Sequence, residues 1–194
     1  MAKTKSVVTG GYGFIGSHLV DLLLNKGHEV VVIDNLSSGN IKNLSHLDKN
    51  NFKFFKEDLN SLDNSTNDIL NCDYIFHIAG LADVVPSIDR PIDYYNSNVN
   101  GTLCIANLAR QNKNLKKIIY AASSSCYGVP KEVPTSEKCP IDVRYPYSHS
   151  KYIGEDIIMH FAKVYKVPSI SMRFFNVYGL RARTTGTYGA VFGT

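Results

Sequence analysis

The sequence predicts an α/β chain, a doubly wound parallel sheet with helices packed on both of its faces. Three observations carry that reading. Short apolar runs alternate with segments of helical periodicity along the chain. The first run leads into a glycine-rich turn, TGGYGFIG at 9–16, and the turn leads into an amphipathic segment. An aspartate, Asp34, closes the second run 18 residues after Gly16.

The elements follow in order. The first strand is expected at 6–8, from Ser6, Val7 and Val8. The helix after the turn starts at Ser17 and places Leu19, Leu22 and Leu23 on one face. EVVVI at 29–33 is the second strand, and a polar loop over 35–40 follows it. FKFF at 52–55 is the third strand and the apolar run at 74–78 the fourth. A helix follows Pro91, a residue suited to an early helical position, with Ile92, Tyr95, Val99, Leu103 and Ala106 at helical spacing. The fifth strand is expected at 117–121. A long helix begins near Tyr145 and Pro146, with Ile153, Ile157, Phe161 and Val164 toward the core. The sixth strand is expected at 169–174. Residues 1–179 then form one dinucleotide-binding domain. The stretch 180–194 forms no complete element and reads as the start of a substrate-binding region, so a C-terminal substrate domain is expected to be missing.

With 194 residues, 44% hydrophobic and 20% charged, the chain has the composition of a globular domain with one good core. Its net charge of +4 is spread along the sequence and forms no Lys/Arg block, which speaks against nucleic acid as a partner. No apolar run has membrane length, and glycines and polar residues interrupt the N-terminus by residue 9, which speaks against a signal peptide. Cys72, Cys104, Cys126 and Cys139 stand at no metal spacing and form no CxxC pair; free thiols in the cytoplasm and no metal site are expected.

The motifs carry chemistry. Gly11, Gly13 and Gly16 fit G-x-G-x-x-G, and Gly10, Gly13 and Gly16 fit G-x-x-G-x-x-G. Between a strand and a helix, these glycines allow a tight turn, close approach of backbone to a pyrophosphate and tight helix–strand packing. The N–H groups and the positive dipole end of the helix then face the phosphates. This is the Rossmann fingerprint. Asp34 is placed to accept from the adenosine ribose hydroxyls and to repel a 2′-phosphate, which favours NAD over NADP. Tyr147 and Lys151 stand at i and i+4, neighbours on a face expected to lie far from the core stripe. An ammonium beside a phenol is expected to lower the phenol's pKa and fit it for general-base work. Ser123, Ser124 and Ser125 end the fifth strand, where an open α/β sheet binds its ligands.

The strings TGGYGFIGSHLV, HIAG, NVNGT, SSSCYG, YSHSK and RFFNVYG, in this order, resemble the extended short-chain dehydrogenase/reductase superfamily. Within it the chain is most similar to nucleotide-sugar epimerases of the UDP-glucose/UDP-N-acetylglucosamine 4-epimerase type. The resemblance implies NAD as cofactor, a UDP-sugar as substrate, a homodimer, and roles residue by residue. Gly10, Gly13 and Gly16 would cradle the pyrophosphate, with backbone contacts from Phe14 and Ile15. Asp34 would hold the adenosine ribose beside Asn35 and Ser38, while Asp58 and Leu59 would flank the adenine. Ala79 and Gly80 would line the cofactor path, and Asn98 would support it from its helix. Tyr147 would be the base, Lys151 would hold the nicotinamide ribose and tune Tyr147, and Ser123, four residues before Tyr127, would be the catalytic serine. Ser125 would touch the sugar and Asn176 the nucleotide diphosphate.

Two departures refine the expectation. Where sugar 4,6-dehydratases of this superfamily have an Asp-Glu pair, the chain has Ser124 and Ser125, which disfavours dehydration. Ala82 stands where UDP-glucose/galactose epimerases often carry a lysine, and the stretch from Val85 to Ile88 leans toward UDP-N-acetylhexosamine or uronate epimerases. The expectation is an isomerase that inverts C4 through a transient 4-keto sugar, with little activity from the 194 residues alone. The alternatives are another nucleotide-sugar enzyme of the superfamily, a reductase or decarboxylase, and a non-catalytic NAD-binding module.

Overall fold

The computed structural model describes residues 3–48 and 50–182, so most of the stretch 180–194 lies outside the described residues. Six strands form one sheet: β1 (Lys5–Thr9), β2 (Glu29–Ile33), β3 (Phe52–Phe55), β4 (Tyr74–His77), β5 (Lys117–Ser123) and β6 (Ser169–Phe174). All neighbours are parallel, in the order β3-β2-β1-β4-β5-β6. The order reverses between β1 and β4, and there the carboxyl ends of the strands open a crevice.

Alternation within the strands builds two apolar layers. Val7, Val31, Ile33, Ile75 and Ile118 face one side, which is covered by α2 (Thr66–Leu70), α5 (Gly101–Gln111) and α6 (Pro146–Tyr165). Val8, Val30 and Val32 face the other, covered by α1 (Phe14–Asn25) through Val20 and Leu23. Within α1, Leu22 is half exposed, and Val20 takes the core place expected for it.

The helix after Pro91 departs from the expected register. It runs as α4 (Pro91–Tyr95), a π-helical turn (Asn96–Asn100) and α5, preceded by the short α3 (Val84–Asp89). The wide turn shifts the buried face to Tyr94, Asn98, Thr102, Ile105 and Ala109, leaving Ile92 and Leu103 exposed. A π-turn often marks a functional segment because it re-aims one side chain, here Asn98. The face of α6 also differs. Lys151, Gly154, Glu155 and Ile158 are buried and Val164 is exposed, so the Tyr147/Lys151 face turns inward instead of standing apart from the core. Apolar periodicity missed this because the buried residues in the first half of α6 are polar.

Candidate active site

A cleft of about 1500 Å³ runs along the carboxyl ends of the strands. It gathers Gly10, Gly13, Phe14, Ile15, Gly16, Asp34, Asn35, Ser38, Asp58, Leu59, Ala79, Gly80, Ser123, Ser125, Tyr147, Lys151 and Asn176. Of the residues to which the resemblance gives a binding or catalytic role, Asn98 alone is not on its wall.

At one end the chain crosses from β1 to α1. Gly10 has φ +71°, and a Cβ on it would stand 2.7 Å from the Ala79 backbone. A Cβ on Gly16 would overlap the carbonyl oxygen of Gly10. These two clashes explain why glycines stand there: the turn folds back on itself and lies against the end of β4. Gly13 is the N-cap of α1 and brings no side chain to it. The first backbone bond into the helix is Ser17 N–H to Gly13 O, 3.0 Å, which leaves the N–H groups of Phe14, Ile15 and Gly16 at the cleft.

Asp34 follows β2 and is nearly buried. Its Oδ2 accepts from Tyr12 N–H at 2.9 Å and its Oδ1 from Leu36 N–H at 2.8 Å, so the carboxylate ties the glycine turn to the loop after β2. Farther along the wall, Asn35 Nδ2 donates to Asp58 at 2.7 Å. Burial works against the Asp58 carboxylate, but hydrogen bonds from Asn60 and Asn35 outweigh it and hold its pKa below the usual carboxylate range.

The other end holds the reactive groups. Pro146 at the first position of α6, with Ser148 bonding both ways to the Tyr145 backbone, starts the helix at the cleft rim. Tyr147 Oη lies 3.3 Å from Ser123 Oγ. Ser123 Oγ also accepts from Ser125 N–H at 3.2 Å and Ser125 Oγ at 2.9 Å, which leaves its own proton free to donate into the cleft. Lys151 is buried one turn below Tyr147, with Nζ 4.4 Å over the Tyr120 ring. Burial draws its pKa down to about 7, against the opposing charge of Glu155. Burial pushes the Tyr147 phenol up, offset in part by the Ser123 hydrogen bond, with the Asp83 charge adding to the rise. The expected depression of that phenol by Lys151 is therefore not what the structure gives, because burial outweighs the Ser123 hydrogen bond and the Lys151 ammonium lies over the Tyr120 ring.

The model of the GDP-mannose 4,6 dehydratase family matches residues 7–191. The chain belongs to that family. The UDP-glucose 4-epimerase of Bacillus subtilis is 34% identical, over 94% of this chain and 55% of its own length. A putative UDP-glucose 4-epimerase of Methanocaldococcus jannaschii is also 34% identical, over 95% of this chain and 60% of its own. Among solved structures, the UDP-N-acetylglucosamine 4-epimerase of Methanobrevibacter ruminantium M1, in complex with UDP-N-acetylmuramic acid, superposes with a TM-score of 0.92 at 36% identity. That match covers 100% of this chain and 61% of the other. The UDP-glucose 4-epimerase of Thermus thermophilus, in complex with NAD, has a TM-score of 0.84 at 31% identity, covering 96% and 60%. The chain thus spans between 55% and 61% of the length of these four relatives.

In this member of the GDP-mannose 4,6 dehydratase family, one supporting residue, Asn98, was expected on its helix, and several others escaped the sequence reading. Asn98 is fully buried, and its amide bonds Leu81 N–H at 2.8 Å, Leu81 O at 3.0 Å and Ser150 Oγ at 3.0 Å. It joins the loop after β4 to α6 instead of reaching the cleft. His77, within HIAG, is sealed between Thr9 Oγ1 at 2.8 Å and Thr102 Oγ1 at 2.9 Å. Thr102 donates onward to Asn98 O and Thr9 accepts from Ala79 N–H. His77 must then carry its proton on Nε2, and burial lowers its pKa to about 3, so it is neutral. Ser87 accepts from Tyr147 N–H at 3.1 Å, which satisfies an orphan donor at the start of α6. Arg173, in RFFNVYG, pairs with Glu155 at 2.9 Å and reaches Tyr127 Oη at 2.9 Å, joining β6, α6 and the serine turn. Polar residues within helices at helical spacing were the available signal for Thr102 and Glu155.

Proposed function

We propose that the protein is an NAD-dependent epimerase that inverts C4 of a UDP-sugar. The observation that carries this reading is the placement of Tyr147, Ser123 and Lys151 in the same cleft as the glycine turn and Asp34. The residues fit a dinucleotide: a turn that excludes any side chain at Gly10 and Gly16, uncapped N–H groups on α1, and a carboxylate at the end of β2. Phe14, Ile15 and Gly16 would hold the pyrophosphate and Asp34 the adenosine ribose, while Lys151 would hold the nicotinamide ribose. Bound there, NAD would supply a two-electron hydride acceptor and donor for C4 of the sugar. Ser123 donates to the C4 oxygen and orients it. Tyr147 takes the C4 hydroxyl proton as the C–H bond breaks and gives it back when the 4-keto sugar, turned over in the cleft, is reduced. Tyr147 must be ionised to begin, and its phenol is high in the free chain. The positive charge that NAD would bring to this end of the cleft would lower it. Asn176 would contact the diphosphate and Ser125 the sugar.

The family model names a dehydratase, but neither Ser124 nor Ser125 can act as the acid that expels a C6 hydroxyl. The proposed assembly is a homodimer, supported by Ile92 (73% exposed), Leu103 (45%) and Met159 (44%) as apolar surface on α4, α5 and α6. The proposed location is the cytoplasm, on the strength of four free thiols. No helix among the described residues is long and apolar enough to cross a membrane.

The test is to incubate the full-length protein and NAD with UDP-glucose, UDP-N-acetylglucosamine and UDP-glucuronate, resolving the 4-epimers by chromatography. Interconversion without accumulation of NADH is expected. Stoichiometric NADH would point to a dehydrogenase or decarboxylase. NAD binding without turnover of any UDP-sugar would leave a binding module.

A further inference from the structure

Lys151 must act in the cleft as a cation and a hydrogen-bond donor, yet the fold buries it. Among the described residues, no hydrogen bond or ion pair holds its ammonium. What lies against it is an aromatic face: Nζ stands 4.4 Å over the ring of Tyr120, on β5. That ring is fixed from several sides. Tyr120 is fully buried in the core between the sheet and its covering helices. Its hydroxyl donates to Lys151 O at 3.2 Å. A Cβ on Gly154 would overlap the same hydroxyl, so α6 opens a notch for the phenol. The His77 ring of β4 lies beside it, with centroids 5.4 Å apart. Toward the cleft, a Cβ on Gly80 would stand 3.4 Å from Lys151 Nζ, so only bare backbone borders the ammonium there.

Resting on the reading that Lys151 holds the nicotinamide ribose, we propose that Tyr120 is a positioning residue whose ring seats the Lys151 ammonium, keeping it charged and aimed at the cofactor. A buried ammonium needs compensation. A carboxylate against it would cancel the charge, and a carbonyl would occupy one of its three N–H donors. An aromatic face attracts the cation and occupies none of them, and it attracts most strongly where water is excluded. The other groups around the ammonium do not take its place. His77, from β4, is neutral and sealed between two threonines. Glu155, one turn farther along α6, is engaged by Arg173 of β6. Tyr147, one turn before, bonds Ser123, and its phenol is uncharged until it loses a proton. Asn98, from the π-turn, is uncharged, and its amide is spent on Leu81 and Ser150. Burial raises the phenol of Tyr120 itself, so the ring stays neutral. Burial also brings Lys151 down to about 7, so without the ring the lysine would be mostly uncharged above neutral pH.

The experiment measures NAD affinity of the full-length protein by titration calorimetry across a range of about pH 6 to 9, which brackets the lowered lysine. It compares the wild type, Tyr120→Phe, Tyr120→Leu and a variant carrying trifluorophenylalanine at position 120. Fluorine drains the negative face of the ring at nearly constant volume, so that variant keeps the packing and loses the attraction. Affinity is expected to fall as pH rises through the lysine's titration. Tyr120→Phe keeps the face and is expected to stay within about threefold of the wild type. The leucine and trifluoro variants are expected to bind at least about tenfold more weakly near pH 8, with the fall moved down by about one pH unit. An unchanged profile in the trifluoro variant overturns the proposal. So does a loss in Tyr120→Phe equal to that in Tyr120→Leu, which would assign the effect to the hydroxyl. Should Tyr120→Leu not fold, the phenylalanine and trifluoro pair decides alone. UDP-sugar turnover is followed in parallel: a shifted NAD profile without turnover of any UDP-sugar sinks the epimerase reading and leaves Tyr120 its role. Should NAD not bind at all, the reading beneath the proposal fails, and the seat is judged by NMR titration of isotope-labelled Lys151. A lower lysine pKa in the trifluoro variant than in Tyr120→Phe then supports it, and equal values overturn it.

Discussion

The two ends of the cleft are built on different physics. At the β1–α1 turn the chemistry is done by backbone, and the side chains matter by being absent: a Cβ on Gly16 would overlap Gly10 O, and one on Gly10 would strike Ala79. At the β5–α6 end it is done by side chains whose properties come from burial: a lysine brought to a pKa of about 7 and a phenol pushed up. The first end tolerates no added atom. The second tolerates changes of shape but not changes of charge or proton affinity. Substitution at the turn should therefore damage folding and binding together, whereas substitution at Tyr147 should separate binding from turnover.

The largest expected effect is Gly16→Ala. The backbone of Gly16 has no positive φ, so its demand is steric and falls on the Gly10 carbonyl, which cannot move without moving Ala79. A loss of about 3 kcal/mol or more is expected. Thermal denaturation would show it as a fall of roughly 6–12 °C, with NAD binding abolished. A variant that melts with the wild type and keeps its affinity would show that the turn has slack. Next comes Tyr147→Phe, which keeps the ring and removes the ionisable oxygen. Turnover should drop at least about 10²-fold, near 2.7 kcal/mol, with NAD affinity intact. A parallel loss of NAD binding would erase the distinction between the two ends.

The same difference explains what the sequence revealed. The turn was legible because its demands are local: glycines at fixed spacing, a strand before, a helix after, and Asp34 at the end of β2. Strands β2, β3 and β6 lie at the positions expected, since buried parallel strands are short apolar runs. The chemical pair Tyr147/Lys151 was legible as a spacing, but its surroundings were not. The face of α6 was read outward because Ser148, Ser150, Lys151 and Glu155 look like a solvated surface, and only the fold shows that they are buried. The π-turn rotated α5 away from the apolar spacing of Ile92 and Leu103, because nothing local in NSNVN announces an extra residue in the turn. Ser87 and Tyr120 acquire meaning only through Tyr147 and Lys151, which come later in the chain.

Asp34 belongs to both regimes, since its carboxylate binds the turn as well as facing the groove. Asp34→Ala should weaken NAD by about 1.5–3 kcal/mol, the value of a hydrogen bond to a charged group, and should raise the relative affinity for NADP. Titration calorimetry with both cofactors would show it, and equal affinities in the wild type would remove the discriminating role given to Asp34. A smaller effect of opposite sign is expected from Lys151→Met without cofactor. The folded lysine titrates near 7 and the unfolded one near 10.5, so the unfolded chain binds more protons between those values. The penalty is therefore complete below about pH 7, shrinks as pH rises toward 10.5 and is gone above it. Allowing for the Tyr120 ring and relaxation, Lys151→Met should stabilise the cofactor-free protein by about 1–2 kcal/mol at pH 6. A gain independent of pH would mean that packing, not the buried charge, is responsible.

The smallest effect sharpens the comparison most, because it asks whether any glycine would behave like Gly16. Gly27 ends α1 with φ +79°, its N–H bonded to Leu24 O at 2.9 Å, and a Cβ there would meet nothing within 4 Å. Its demand is conformational and its space is open, the reverse of Gly16. Gly27→Ala should therefore cost about 1 kcal/mol, the strain of a left-handed backbone with a Cβ, and Gly27→Asn less. NAD affinity should be unchanged in both, since the site lies at the opposite end of α1. The comparison is made by denaturant unfolding of both glycine variants under one condition. Should Gly27→Ala lose as much stability as Gly16→Ala, or Gly16→Ala as little as Gly27→Ala, the clash with the Gly10 carbonyl would not be what makes the turn intolerant. The contrast between an end ruled by space and an end ruled by charge would then have to be abandoned.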